Sequence, residues 1–225
     1  MATLTVPEKD KKALTELATQ SKDRVGALIE ALRNEKPMLL MRHLATRVAP
    51  AAGMTEAEAL KILRLVATMS AVRTRENLSI EAFTDRVCEL AFDKLSGENA
   101  SAVQATLREY LRQLLSVRSL YTTGKALEVT REHEHVMCDP RVITDLRTVF
   151  GLDGKPDAAV AVHLLRISYH DGVVGEDRKQ FTVAMDSEEL RELRALLERA
   201  EEKEKAIKNI ALQAQLLWLD PADAD

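Results

Sequence analysis

The feature that most constrains this chain is a long C-terminal stretch in which apolar residues recur at helical spacing. It starts with Asp186 and Glu189, a D-x-x-E signature whose side chains can cap the first turn of a helix. No glycine or proline follows until Pro221. The apolar positions, spaced three and four residues apart, are Leu190, Leu193, Leu197, Ala200, Ile207, Ala211 and Ala214. The pattern predicts one amphipathic helix of about 29 residues, about 43 Å long at 1.5 Å per residue.

Three segments rich in β-branched residues precede that helix and predict a small antiparallel sheet. Residues 142–150 favour a first strand, although a short helix is the alternative for residues 141–150. Residues 159–169 begin apolar on both faces, as a central strand does, and residues 179–185 alternate like a hairpin partner. A strand of about eight residues covers only about 26 Å. We therefore expect the helical part of the same chain, or a second chain, to cover the rest of the apolar stripe.

The N-terminal half predicts a series of six helices, because capping residues and prolines separate segments with helical apolar spacing. Ser21 or Asp23 can cap the second helix. Thr55 and Glu58 form a T-x-x-E capping box ahead of a strongly apolar segment. The sixth helix is predicted for residues 101–120. These helices together predict a bundle.

The expected fold class is therefore α+β and mainly α, with two domains. An N-terminal helical bundle, residues 1–124, is followed by a small antiparallel three-stranded sheet packed on one long helix, residues 125–225. The composition is 46% hydrophobic and 30% charged, with only 8 Gly and 6 Pro, and it suits amphipathic helices better than a turn-rich sandwich.

The charge balance argues against a polyanionic partner. With 32 basic and 36 acidic residues the net charge is −4, which gives no long-range attraction for nucleic acid. A local patch of Arg108, Arg112 and Arg118 on the sixth helix is the alternative. We predict no nucleic-acid partner.

Membrane insertion and export are not expected either. The longest apolar stretches are far shorter than the ~20 residues that span a bilayer. Cys88 and Cys138 form no C-x-x-C pair, and the N-terminus lacks the apolar core of a signal peptide. A cytoplasmic protein is the expectation.

The segment Glu132–Cys138 is the one cluster with metal-ligand chemistry. On a strand, His133 and His135 would project from the same face, and Cys138 or another His would complete a zinc site. The alternative is a polar connection between bundle and sheet. Carboxylate pairs such as Glu188–Glu189 interleave with basic residues at spacings typical of surface ion pairs. We predict no catalytic residue and no cofactor.

Three blocks of the C-terminal part, VITDLRTVF, VAVHLLRISYHDG and KQFTVAMDSEELRELRALLERAEEK, resemble a family of bacterial proteins of unknown function. They also resemble, more distantly, the COMM domain, a short antiparallel sheet followed by a long helix and preceded by an all-helical domain. The likeness covers roughly residues 140 to 210. It implies an obligate dimer of interlocking sheets and helices that works as a scaffold or adaptor.

Taken together, these patterns predict a non-enzymatic protein–protein interaction or scaffold protein that forms a homodimer, or binds a related partner, through its C-terminal domain. The predicted interface consists of Leu190, Leu193, Leu197, Ala200, Ile207 and Ala211. The alternative function is a metal-binding enzyme or sensor that uses His133, His135 and Cys138.

Overall fold

The computed structural model describes residues 5–92, 98–171 and 178–220, and over these residues the chain forms eight helices and three strands. The predicted class, α+β and mainly α, is confirmed. Backbone contacts divide the chain into two compact units. The helical unit is Met1–Val129 together with Leu219–Asp225, and the sheet unit is Thr130–Trp218.

The helical unit is a bundle whose helices follow one another with short connections. In chain order they are α1 (Glu8–Ala18), α2 (Lys22–Asn34), α3 (Met41–Val48), α4 (Glu56–Arg75), α5 (Ile80–Ala91), α6 (Glu98–Leu115) and α7 (Arg118–Thr130). Leucines from most of these helices meet in one continuous core, together with the fully buried Phe83. This packing removes the apolar stripes of the helices from water, which is the main favourable term in their folding.

Local side-chain chemistry starts these helices where the sequence predicts. Ser21, rather than Asp23, caps α2, because its Oγ accepts a hydrogen bond from the Arg24 N–H at 3.3 Å. The capping box before α4 is confirmed: the Glu58 N–H donates to Thr55 Oγ1 at 3.2 Å, and the Thr55 N–H donates to Glu58 Oε2 at 2.7 Å. The hydrogen bond from the Thr55 N–H is also the main reason why the pKa of Glu58 lies below its usual value.

The prediction of a single sixth helix over residues 101–120 is wrong, because α6 ends at Leu115 and a seventh helix starts at Arg118. Gly124, the predicted end of the bundle, lies inside that seventh helix. A Cβ at this glycine would stand 3.4 Å from the Cβ of Ala67 in α4. Gly124 therefore allows α7 to pack closely on α4.

The sheet contains β1 (His135–Phe150), β2 (Pro156–Asp171) and β3 (Lys179–Met185), all antiparallel in the order β1-β2-β3. Residues 141–150 are strand, so the helical alternative is wrong. Thr144 lies opposite His163, and His163 lies opposite Met185. β3 pairs only with the part of β2 from His163 to Tyr169.

The first two strands are longer than the predicted segments 142–150 and 159–169, at 16 residues each, or about 53 Å at 3.3 Å per residue. Beyond the end of β3 they continue as a two-stranded arm, residues 145–162, closed by a turn at Gly151–Lys155. The expected strand length of about eight residues is therefore wrong for β1 and β2, whereas β3 has seven residues. Strand length does not limit how much of the helix the sheet can cover.

The long helix, α8, runs from Ser187 to Gln213, which is 27 residues or about 40 Å. Its predicted capping box is confirmed, because Asp186 Oδ1 accepts from the N–H groups of Glu188 and Glu189 at 2.7 and 2.9 Å. The Glu189 carboxylate in turn accepts from the Asp186 N–H at 2.8 Å. α8 contacts β2 and β3. Pro221, the predicted stop, lies outside the described residues.

Candidate functional site

The apolar stripe of α8 is largely open to solvent. No residue of this helix is buried. Of the predicted interface positions, Leu190, Leu193 and Ala211 are half-buried. Ala200 is exposed, and Leu197 and Ile207 are 59% and 57% exposed. An aliphatic side chain in water forgoes about 1.5–3 kcal/mol of burial free energy, so this stripe is a surface that favours being covered.

This surface is wider than the stripe predicted from the sequence. Leu196, Ile210 and Leu212 on α8 are more than half exposed, and so are Leu216 and Leu217 just beyond it. These residues lie outside the narrow seam of alternating three- and four-residue spacings. A wider apolar face, of the kind seen on helices that pack in globular cores, is the signal that would have found them.

The sheet adds further uncovered apolar side chains on both of its faces. On one face, Val142, Leu146 and Phe150 are exposed, with Leu146 at 77%. On the other face, Val149 and Val160 are exposed. Single exposed leucines are ordinary, whereas several exposed apolar side chains on one face are typical of surfaces that another molecule covers.

The burial of apolar residues separates the two units sharply. Among the described residues of the sheet unit, Met185 is the one buried apolar side chain, whereas the helical unit supplies the rest of the buried apolar set. A chain segment that buries so little has few means of offsetting its loss of conformational entropy. The described part of the sheet unit therefore gains less stability per residue from apolar burial than the helical unit does.

His163 holds the start of α8 against the middle of the sheet. Its Nδ1 lies 2.8 Å from Thr144 Oγ1 in β1, and its Nε2 lies 3.5 Å from Ser187 Oγ at the first residue of α8. Asp186, which caps α8, precedes Ser187 in the sequence. The carboxylate of Asp186 accepts hydrogen bonds from the N–H groups of Glu189 and Glu188, and these bonds lower the pKa of that carboxyl group. His163 is thus a structural histidine with partners on both ring nitrogens.

The proposed metal ligands do not form a common site. His133 lies in a bend before β1 and is not on a strand. His135 is the first residue of β1, and its ring packs at 4.6 Å on Tyr169. Across residues 5–92, 98–171 and 178–220, no three or more His, Cys, Asp or Glu side chains group so that they could hold a metal ion.

Cys138 has a partner that the sequence does not reveal. It is the extra residue of a bulge in β1, since Met137 lies opposite Tyr169 and Asp139 lies opposite Ser168. Its Sγ is exposed and lies 3.0 Å from Nδ1 of His170 on β2. Residues separated by 32 positions meet here only because of the antiparallel register.

Cys88 is the opposite kind of cysteine. It is fully buried in α5, as its place on an apolar face predicts. Burial raises the pKa of its thiol to about 11, which leaves it protonated and unreactive at neutral pH.

The arginines of the predicted local basic patch are partly neutralised. Arg108 Nε and Arg112 Nη2 lie 2.7 and 3.2 Å from the same carboxylate oxygen, Asp85 Oδ1. Arg118 begins the next helix, α7. Two of the three cations are therefore used in an ion-pair network between α5 and α6.

A cleft of about 300 Å³ lies between α1 and α4 in the helical unit. Its charged groups are already paired, because Lys61 bonds to Glu16 and Arg24 Nη2 lies 3.4 Å from Glu58 Oε2. The rest of its lining is mostly apolar, with Leu17, Ile62 and Leu65 among it.

Comparison of the chain with models of known protein families gives no match, and comparison with curated proteins gives none either. No helix among the described residues has a stretch both long and apolar enough to cross a membrane. The surfaces described above are therefore the basis for a functional assignment.

Proposed function

We propose that this protein is a non-enzymatic scaffold that binds a second copy of itself through the sheet unit, with the apolar stripe of α8 as the main seam. The observation that carries the proposal is the uncovered apolar surface of this unit, in which α8 contributes no buried residue. The resemblance of residues 140 to 210 to the COMM domain supports the same mode of association.

A second copy is the occupant that the surfaces fit best. Each chain carries an uncovered helix together with an uncovered sheet, and a helix stripe packed on a sheet face is a standard two-layer arrangement. In a two-fold dimer each copy supplies the cover that the other lacks. The charged side of α8, where Arg194 Nε bonds Glu198 Oε1 at 2.9 Å, stays in water in this arrangement.

Sedimentation of the full chain tests the proposal. The wild-type protein at micromolar concentration should have twice the mass of the 25.1 kDa chain. The variant carrying Leu197→Glu and Ile207→Glu should dissociate at least about a hundredfold more readily, because each substitution removes roughly 2 kcal/mol of apolar burial or more.

The matched control is Glu202→Lys, an equally exposed position on the charged side of α8. It changes the charge of the helix without touching the stripe, so dimerisation should persist. A strict monomer for the wild-type chain, or equal dissociation of stripe and control variants, would contradict the proposal. Circular dichroism shows whether each variant retains its helices.

A further inference from the structure

Over the part of the chain that the structure describes, the outer edge of β1 from residue 141 to residue 150 pairs with no other strand. The strand order β1-β2-β3 gives β1 a single neighbour, although β1 has 16 residues. Along its outer side, alternate residues direct N–H and C=O groups away from the sheet. An edge strand of this length is a template for pairing with another strand.

The part of this edge that follows Pro140 is regular. The bulge at Cys138 lies before it, and Pro140 itself has no N–H to donate. The other register shift, between Val149 and Phe150, places its extra residue on β2, because Val149 lies opposite Ala158 and Phe150 lies opposite Pro156. β1 therefore presents an unbroken edge from residue 141 to residue 150.

The sequence along this edge is self-complementary about Leu146. Reading outward from Leu146, the matched residues are an acid and a base, two threonines, and then two apolar pairs. The pairs are Asp145 with Arg147, Thr144 with Thr148, Ile143 with Val149, and Val142 with Phe150. Two copies running antiparallel with their Leu146 residues opposite one another would bring these matched residues face to face.

We propose that two copies of this chain join edge to edge along β1, antiparallel and centred on Leu146, to form one continuous six-stranded sheet. Asp145 then lies opposite Arg147 of the partner subunit, and the symmetry repeats this ion pair. The most exposed apolar side chain of the strand, Leu146, lies against the partner's Leu146. Val142 and Phe150, on the same face, extend the contact on either side.

Neighbouring registers fit less well. Centring the pair on Asp145 or on Arg147 places like charges directly opposite one another, which is unfavourable. Centring it on Ile143 places Pro140, which cannot donate a hydrogen bond, inside the ladder opposite Leu146. The other edge strand, β3, has only seven residues and shows no such symmetry.

This inference rests on the proposed function in one respect, that the partner is a second copy. It adds a distinct contact, because edge pairing satisfies the backbone of β1 and leaves the stripe of α8 to be covered separately. The two contacts can therefore be tested separately in the same protein.

Disulfide trapping tests the register in the full-length chain. In a Cys138→Ser background, Leu146→Cys should give an intermolecular disulfide rapidly under mild oxidation. Opposite residues of an antiparallel pair have Cα atoms about 4.5–5.5 Å apart, within the span of a disulfide. Ile143→Cys and Val149→Cys should each cross-link poorly alone but efficiently when combined in one chain.

Leu152→Cys is the control for random collision, because this residue lies in the turn and is fully exposed.

Charge exchange provides a second measurement that needs no cysteine. Asp145→Arg alone should raise the dissociation constant roughly tenfold, since it sets arginine against arginine twice. Adding Arg147→Asp should restore the dimer, because the exchanged ion pairs form again.

Rapid cross-linking of Leu146→Cys together with rescue by charge exchange would establish the edge contact. A dimer in which Leu146→Cys cross-links no faster than Leu152→Cys would overturn it and leave the α8 seam standing. If Leu146→Cys cross-links rapidly but the variant with Leu197→Glu and Ile207→Glu dimerises like the wild type, the edge contact stands and the α8 seam is overturned. A strict monomer would overturn both.

Discussion

Helices α4 and α8 are built by the same local rules and end in opposite environments. Each begins with a complete capping box, Thr55–Glu58 in one and Asp186–Glu189 in the other, and each has a long apolar stripe. In α4 that stripe is buried, with Leu63 and Val66 almost wholly inside the core, whereas α8 buries none of its residues. An amphipathic pattern thus indicates that a face will be covered, but it does not indicate by what.

The difference between the two units has a topological origin. The helical unit surrounds α4 with helices from the same chain, notably α1, α3 and α6. In the sheet unit α8 contacts β2 and β3, and the arm formed by residues 145–162 extends beyond β3. A two-stranded ribbon is only marginally stable in water, so this arm is a weaker support than the helices that surround α4.

The largest expected contrast concerns matched leucines in the two units. Leu111→Ala, in the fully buried core of the helical unit, should lower the free energy of unfolding by about 2–5 kcal/mol. Leu196→Ala, on the exposed side of α8, should change it by less than about 1 kcal/mol when it is introduced into the dissociated variant with Leu197→Glu and Ile207→Glu. Denaturant unfolding measures the two effects. An equal loss for Leu196→Ala in that dissociated variant would show that α8 is covered within a single chain.

A smaller contrast concerns the two capping boxes. Thr55→Ala should cost about 1 kcal/mol of global stability, because the helix that it starts is part of the core. Asp186→Ala should instead loosen the first turn of α8 and leave the helical unit unchanged, as hydrogen exchange of the α8 amides would detect. Global destabilisation by Asp186→Ala would mean that the two units unfold together.

Acid should act on Asp186 in the same direction as the alanine substitution. Its pKa in the folded chain is lowered below the ordinary 3.8, chiefly by the N–H groups of Glu189 and Glu188. Its contribution is therefore complete above that ordinary value and is lost as the pH falls through the lower folded pKa. Asp186→Asn, which keeps one acceptor oxygen and no charge, is the control for the charge itself.

The smallest effect is a difference in thiol reactivity between the two units. In the native chain, a thiol reagent at neutral pH should modify Cys138 quickly and Cys88 only after unfolding, because Cys138 is exposed and burial raises the Cys88 pKa to about 11. Titration with and without denaturant measures both. Cys138→Ser should remove the fast phase, and fast reaction at Cys88 would reveal local opening of α5.

Much of the secondary structure follows from the sequence because it depends on neighbours in the chain. The capping boxes at Thr55 and Asp186, the cap at Ser21 and the whole of β3 lie where local patterns predict them. The errors occur where a distant contact overrides a local signal. Gly124 is a helix breaker by propensity, yet it lies inside α7 because α4 passes close to it.

The candidate site was predictable only in part. The seam through Leu197 and Ile207 is visible in the spacing, but the wider face with Leu196 and Ile210 is not. The histidines and cysteine of residues 133–138 are recognisable by composition, whereas the pairing of Cys138 with His170 requires the strand register. Two-residue strand periodicity does not indicate which strands will be neighbours.

By itself the sequence determined that this chain would form capped amphipathic helices, an antiparallel sheet and one long final helix, since hydrogen bonding and apolar spacing within a few residues decide those features. Which stripes are buried and which stay in water depends instead on how the elements pack together. Burial depends on the side chains that the fold brings from elsewhere in the chain, and around α8 and β1 it brings too few to cover them.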